Sequence, residues 1–222
     1  MEIMALAYEP LDPEVVSLFA KLLAYPEEDY LEVAEKCFEK LNCNDDFKTF
    51  LEFIRPLELI DVQSYYTEMF ELNYHISPYV GYYLFGESYL RSTFLVELKK
   101  RFRSHGYSVE GELPDHFSVL LDFVSKFPNE VLTHEIVQSA LLPSLKRIIW
   151  TKVRPEDKPQ SVSAGLAFYS LFLSIYNYLS KPEDKIQTRE TVSLPVHSSP
   201  VPDNSGIDQW IRKGKKEESK WQ

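Results

Sequence analysis

Apolar side chains recur every three or four residues along most of the chain, the spacing of helices that bury one face. The first such run follows Asp12, Pro13 and Glu14, which fit an N-cap residue, a proline at the first helical position and a first-turn acid. Its apolar positions are Val15, Val16, Leu18, Phe19, Leu22 and Leu23. Because proline cannot continue a helix, Pro26 ends the run. The pattern therefore predicts a helix between residue 13 and Pro26.

The same periodicity predicts three more helices in the first third of the chain, with apolar positions over 31–41, 47–54 and 59–70. The segment 73–87 interrupts the pattern. Ser77, Pro78 and Gly81 are turn-forming residues, and the stretch that follows Pro78 is strongly aromatic. We expect a loop that includes at most one helical turn and packs between helices.

Helical spacing returns at residue 88. Three helices are predicted over about 88–105, 114–127 and 129–150. Gly106 is the expected left-handed C-cap of the first. The second starts near Pro114, whose neighbour Asp115 would stabilise the helix N-terminus as a first-turn acid. Asn129 is the expected N-cap of the third, which Pro143 interrupts or kinks.

The most apolar helix is predicted over residues 161–180, since no charged residue occurs from Pro159 to Ser180. The stretch is long enough to cross a membrane. However, it stands alone and is interrupted by polar residues, which favours a buried central helix and no stable membrane insertion. The interrupting residues are Ser161, Ser163, Ser170, Ser174 and Asn177.

These elements predict an all-α fold class: a single-domain, irregular helical bundle over residues 1–180. From residue 181 to 222 the composition is typical of a flexible or extended C-terminal tail. Within the tail, apolar and basic residues predict either a frayed terminus or a short amphipathic helix that docks on a partner or on the chain's own body. Those residues are Ile207, Trp210, Ile211, Lys213, Lys215 and Lys216.

The net charge of −10 is concentrated near the start of the chain, where residues 1–90 hold 18 acids and 5 bases. An acidic body repels phosphate backbones, so nucleic acid is excluded as a partner, whereas a basic peptide would be attracted. Acidity that serves only solubility is the alternative. The absence of a signal peptide pattern predicts a cytoplasmic protein, in which Cys37 and Cys43 are reduced thiols.

Two carboxylate–imidazole pairs raise the question of a metal or catalytic site. Glu112 and His116 are four residues apart, as are Glu130 and His134, and this spacing can place both groups on one helix face. Glu112, however, precedes Pro114 and so lies before the predicted helix. The repeated Glu-x-x-His of a di-iron bundle and the Gly-x-Ser-x-Gly of a hydrolase are both absent. We expect neither catalysis nor a bound metal.

Four segments, in order, resemble one family. Residues 66–72 are similar to its Tyr-Thr-x-x-Phe-Asp-Leu segment, and residues 84–91 to its Leu-Phe and Gly-Asp/Glu-Ser-Arg-x-Arg-Gly segments. A helix that ends at residues 105–107 resembles the family's helix that ends in a Gly-aliphatic pair. Residues 112–117 match Glu-Leu-Pro-Asp-His-Leu at all but the last position. The chain thus resembles the NarJ branch of the NarJ/TorD redox-enzyme maturation chaperones, which includes the nitrate reductase delta subunit.

The resemblance implies an all-helical, non-catalytic chaperone without a cofactor. Its implied partner is the N-terminal or twin-arginine-type leader segment of an apo molybdopterin oxidoreductase catalytic subunit, held until the molybdenum cofactor is inserted. Proteins of the cofactor-insertion machinery are further candidate partners, and the client in the NarJ branch is nitrate reductase. The chain departs from the pattern by a short deletion after Phe85, by Tyr89 in place of Arg and by Ser92 in place of Gly.

A peptide-binding groove is the site that these segments imply. Aromatic residues would supply apolar area, acids would pair with client Arg or Lys, and His116 would hydrogen-bond the client backbone or make release pH-sensitive. Core packing is the alternative role for the aromatic residues. The predicted site residues are Tyr65, Tyr66, Glu68, Phe70, Glu71, Tyr82, Tyr83, Phe85, Glu87, Arg91, Glu112, Leu113, Pro114, Asp115 and His116.

Two other classes of function remain open at the level of sequence. One is a helical metal-binding protein or metalloenzyme, which would carry stoichiometric metal. The other is a structural subunit of an oxidoreductase, which would stay permanently with the mature enzyme.

Overall fold

The computed structural model describes residues 11–72, 76–150, 159–180 and 184–185. In these ranges the backbone forms helices, turns and a single isolated β-bridge, so the predicted all-α class is confirmed. The helices are α1 (Pro13–Leu22), α2 (Tyr30–Lys40), α3 (Asp45–Ile54), α4 (Leu59–Thr67), α5 (Val80–Phe85), α6 (Tyr89–Ser104), α7 (Phe117–Lys126), α8 (Val131–Ile136), α9 (Leu142–Trp150) and α10 (Pro159–Leu179).

The start of α1 follows the sequence prediction. The Asp12 side chain accepts a hydrogen bond of 2.9 Å from the backbone N–H of Glu14 and so satisfies one of the free donors of the first turn. Pro13 occupies the first helical position, where no N–H is needed. The helix ends at Leu22, four residues before Pro26.

The predicted central helix is confirmed in α10, whose side chains from Ala164 to Leu179 are mostly buried. It packs on α3 and α9. A chain of aromatic contacts links it to α1 through α3: ring centroids lie 6.3 Å apart for Phe19 and Phe47, and 5.7 Å apart for Phe50 and Phe168. In the described part of the chain, no helix combines the length and hydropathy that a membrane span requires.

The α-helical pattern is interrupted just before Pro143, as predicted. Between α8 and α9 the residues Val137–Leu141 form a π-helical turn. Because Pro143 has no N–H to donate to the preceding turn, the regular hydrogen-bond ladder is broken there and a wider turn can be accommodated. The expected N-cap Asn129 is wrong by one residue, since Glu130 is the N-cap of α8.

The segment 73–87 is more helical than expected, because α5 has six residues rather than a single turn. The end of α6 matches its prediction: Gly106 adopts φ +69°, and the Tyr107 N–H donates to the Phe102 carbonyl at 2.9 Å. The start of α7 does not. The helix begins at Phe117 with His116 as N-cap, so Pro114 and Asp115 precede it and Asp115 is no first-turn acid.

The proposed division at residue 180 stays a prediction, and the expected docking helix around Trp210 lies outside the described residues, as do most of the polar loop 152–160 and the start of the chain.

Candidate functional site

The family-like segment at residues 112–117 meets residues 78–80 through the backbone. The Val80 N–H donates to the Asp115 carbonyl at 2.8 Å, and the Phe117 N–H donates to the Pro78 carbonyl at 2.9 Å. Tyr79 and His116 thereby form an isolated antiparallel bridge. Because these bonds satisfy backbone groups at the starts of both α5 and α7, they fix the two helix starts against each other.

A buried ion pair adds α6 to this junction. The Arg91 Nε donates to Asp115 Oδ2 at 3.0 Å, and the Asp115 side chain is fully buried whereas that of Arg91 is 28% exposed. In the described part of the chain, Asp115 Oδ1 and Arg91 Nη2 have no further hydrogen-bond partner. Burial raises the pKa of Asp115, against the opposing attraction of the Arg91 guanidinium.

Gly81 leaves room for the ion pair. A Cβ atom at this position would lie 2.6 Å from Asp115 Oδ2 and 3.1 Å from Arg91 Cγ.

Gly81→Ala is therefore expected to displace the carboxylate from the guanidinium and to lower the free energy of unfolding by about 1–3 kcal/mol. Urea denaturation would measure this. Gly111→Ala is the control for added volume, since a Cβ atom added there would meet no other group within 4 Å. The φ of +76° at Gly111 adds some backbone strain to this control. Equal stability of Gly81→Ala and the unmodified chain would contradict the close approach.

Tyr79 connects the ion pair to the surface. The Arg91 guanidinium lies 5.2 Å from the centre of the Tyr79 ring, and the Tyr79 hydroxyl donates to Glu112 Oε1 at 3.1 Å. The same oxygen accepts from the Leu113 N–H at 2.8 Å. Burial and then the Glu112 carboxylate raise the pKa of Tyr79 to about 12, so the phenol keeps its proton and remains the donor at neutral pH.

His116 is a buried capping residue. Its Nδ1 accepts from the Ser118 N–H at 3.2 Å, which places the ring proton on Nε2, and its ring packs edge-on at 5.3 Å from Tyr79. Burial lowers the pKa of His116 to about 4, although Glu112 opposes the shift. The imidazole is therefore neutral at pH 7 and helps to hold the start of α7.

Tyr66 extends the cluster toward α1. Its hydroxyl donates to the Leu23 carbonyl at 3.1 Å, and its ring lies 5.5 Å from that of Tyr25. Burial raises its pKa first, and Glu112, Tyr79 and Glu71 then add to the shift. The carboxylates of Glu112 and Glu71 therefore lie close enough to Tyr66 to oppose ionisation of its hydroxyl. We call Glu71, Tyr79, Glu112 and Leu113, with Tyr66 beneath them, the acidic face.

The predicted site residues differ in what they can touch. Some are exposed and can contact a ligand: Glu71, Tyr82, Glu87, Glu112 and Leu113. Others are partly exposed: Tyr65, Glu68, Phe85 and Arg91. The rest are buried: Tyr66, Phe70, Tyr83, Pro114, Asp115 and His116. The sequence interpretation gave Asp115 and His116 direct contact with a client, whereas their burial favours a positioning role.

Several of the predicted aromatic residues pack against other aromatic rings of the chain. The Tyr65 ring lies 5.2 Å from Phe53, and the Phe85 ring lies 5.3 Å from Phe94 on α6. The Phe70 ring lies 5.2 Å from Phe168 of α10. Core packing, the alternative for the aromatic residues, therefore describes these contacts.

Sequence reasoning missed Tyr25, Tyr79 and Gly81 as parts of this region. A glycine inside an aromatic segment signals a close approach of neighbouring groups, and this signal was present at Gly81. Tyr25 carried no signal, because its contact with Tyr66 depends on how α1 and α4 pack.

The members of the two carboxylate–imidazole pairs have different partners in the structure. Glu112 bonds Tyr79 while His116 caps α7, and Glu130 Oε2 lies 3.7 Å from Nε2 of His105. Over the described ranges, no group of three or more His, Cys, Asp or Glu residues is arranged to hold a metal ion. Cys37 is buried and Cys43 is exposed, both as free thiols.

Comparison with known proteins shows which proteins these features resemble. The family model described as nitrate reductase delta subunit matches residues 40–146, which include the acidic face and the Arg91–Asp115 pair. The nitrate reductase molybdenum cofactor assembly chaperone NarJ of Escherichia coli strain K12 is 24% identical over 120 residues, and so is that of strain O157:H7. These matches cover 50% of this chain, which spans about half (51%) of the length of the curated relatives.

A solved structure shares the fold. The crystal structure of a protein described as a redox enzyme maturation protein from Archaeoglobus fulgidus has a TM-score of 0.52 and 21% sequence identity. The match covers 76% of this chain and 96% of the other. This chain therefore has the fold of that protein, and its residues 40–146 are similar to the nitrate reductase delta subunit family.

Proposed function

We propose that the chain is a cytoplasmic, non-catalytic chaperone for a molybdoenzyme of the nitrate reductase type. It binds the N-terminal segment of the apo catalytic subunit and assists insertion of the molybdenum cofactor and assembly or export of the complex. The relatives named as nitrate reductase molybdenum cofactor assembly chaperones support the class of client. The observation that carries the binding role is the acidic face.

The acidic face has the chemistry to bind a segment that is both basic and apolar. Glu112 presents a carboxylate at the surface, and Leu113 beside it is 41% exposed. Tyr79 offers an aromatic ring with a fixed hydroxyl. A client Arg or Lys would pair with Glu112 or Glu71, while an apolar client residue packs on Leu113 and Tyr79.

The buried residues hold this surface in one shape. Asp115 and Arg91 tie α6 to the segment that carries Glu112, and His116 caps α7 directly after it. A surface held in this way loses little conformational entropy when a peptide binds, which favours affinity. The resemblance of residues 112–117 to the family motif is thus compatible with a positioning role for Asp115 and His116.

Titration with N-terminal peptides of candidate catalytic subunits tests the proposal. We expect Leu113→Ala to weaken binding about tenfold, which corresponds to about 1.4 kcal/mol, because it removes exposed apolar area at the face. Glu112→Gln should weaken binding by a similar factor and reduce its salt dependence. Val131→Ala is the matched control, since Val131 is 74% exposed on α8. Unchanged affinity in both face variants would reject this site.

A further inference from the structure

A second surface, formed by residues outside the family-like segments, has the charge of a docking site. The turn between α1 and α2 and one side of α4 border an open, shallow cavity of about 560 Å³. Tyr25 and Leu59 form its apolar walls, and Glu27, Glu28 and Asp29 line its rim. We call this cavity the acidic notch.

The notch carries negative charge that is not neutralised nearby. Asp29 pairs with Lys21 at 2.9 Å, but in the described part of the chain no cation pairs with Glu27 or Glu28. One wall of the notch is open to solvent although it is apolar, since Tyr25 is 51% exposed. Gln63 Nε2 donates to the Pro26 carbonyl at 2.9 Å, which holds α4 to the turn and keeps the notch in shape.

The chain itself contains a segment of complementary chemistry. Residues 207–216 carry four cations and one acid, with a tryptophan and two isoleucines among them. The cations are Arg212, Lys213, Lys215 and Lys216. An aromatic residue followed by a run of cations matches an apolar cavity with unpaired carboxylates at its rim. The body of the chain is acidic, and this segment is its oppositely charged counterpart.

The connection is short enough in space. The Tyr178 hydroxyl at the end of α10 accepts from the Asp12 N–H at 3.0 Å, and the Tyr178 ring lies 5.6 Å from Phe19 of α1. Because α1 is about 15 Å long, the chain leaves α10 roughly one helix length from the notch. The 28 peptide links from Leu179 to Ile207 can span up to about 90 Å, far more than is needed.

We propose that the segment Ile207–Lys216 docks intramolecularly in the acidic notch, with Trp210 against Tyr25 and Leu59 and the cations at Glu27 and Glu28. This docking does not depend on the chain's being a chaperone. If the proposed function also holds, a docked segment lies beside the acidic face, because Tyr25 in the notch contacts Tyr66 beneath that face. The segment would then compete with a basic client for neighbouring carboxylates.

Limited trypsin digestion of the full-length chain, followed by mass spectrometry, tests the docking. Cleavage after Arg212 and Lys213 depends on how often the segment is undocked when opening and closing are fast. The variant Glu27→Gln/Glu28→Gln is expected to speed this cleavage about fivefold, since it removes the charges that hold the cations. The control is Glu32→Gln/Glu39→Gln, which changes the net charge equally at exposed positions of α2 outside the notch. The control should cleave at the rate of the unmodified chain.

Each other outcome overturns the proposal. Equal cleavage rates in the unmodified chain and in Glu27→Gln/Glu28→Gln would show that these carboxylates do not hold the segment. Protection that increases with protein concentration would assign the segment to a second copy. If Glu27→Gln/Glu28→Gln weakened client-peptide binding and left cleavage unchanged, the notch would belong to the client. Peptide affinity and tail cleavage are separate readouts, so failure of the docking is distinguishable from failure of the proposed function.

Discussion

Asp115→Ala is expected to lower the free energy of unfolding by about 3 kcal/mol, the low end of the range for breaking a buried ion pair. The loss arises because Arg91, mostly buried beside Asp115, is left without its counter-charge. The low end applies since the Arg91 side chain is 28% exposed and can recover some hydration. For a chain of this size the melting temperature should fall by about 10 °C.

Two comparisons separate the buried pair from a general effect of removing an acid. Asp29 pairs with Lys21 at 2.9 Å, but both side chains are about half exposed, so Asp29→Ala should cost less than about 1 kcal/mol. The double variant Arg91→Ala/Asp115→Ala should lower the free energy of unfolding by less than the sum of the two single variants. Each single variant leaves one buried charge without a partner, whereas the double variant leaves none. If Asp115→Ala were as mild as Asp29→Ala, the burial of the pair would be contradicted.

Acidification is expected to destabilise the fold through His116. The folded-state pKa is about 4, below the ordinary value of 6.5, because burial disfavours the charged ring. In the window between these values the unfolded chain binds a proton that the folded chain does not, so unfolding is favoured as the pH falls. The contribution of neutral His116 to the free energy of unfolding is fully present above about pH 6.5. It amounts to about 3 kcal/mol and is lost by the time the pH falls below 4.

The variant His116→Asn isolates this contribution. Asparagine is a good N-cap residue, so it can still accept from the Ser118 N–H, but it does not titrate. We expect the unmodified chain and the variant to differ by a constant amount between pH 7 and 8. Below pH 6.5 the unmodified chain should lose stability faster, as followed by urea denaturation at each pH. Parallel stability curves from pH 7 to pH 4 would contradict a buried neutral imidazole.

Helix positions were predictable from the sequence where local signals decide them. Asp12 and Pro13 start α1, and Gly106 ends α6, because capping chemistry acts within a few residues along the chain. The start of α7 was not predictable in this way. Pro114 and Asp115 look like a helix start, yet Asp115 is held by Arg91 and by the backbone of residues 78–80, which are distant in sequence.

The candidate site was predictable as a set of segments but not as a surface. The motif at residues 112–117 lies at the junction of α5, α6 and α7, whereas the burial of Asp115 and His116 depends on tertiary packing. Glu112 and Leu113 remain exposed only because the chain turns inward at Pro114. Tyr79 was missed because its role rests on contacts with Arg91 and Glu112, which no helical or strand period encodes.

Co-purification of the chain from its native cells, with identification of bound proteins and analysis of their molybdenum content, tests the central claim most directly. The account predicts that the chain is recovered with a molybdoenzyme catalytic subunit that lacks its cofactor, and that Leu113→Ala reduces this recovery whereas Val131→Ala does not. Recovery of the chain in a permanent complex with the mature, molybdenum-loaded enzyme would instead make it a structural subunit and contradict the account.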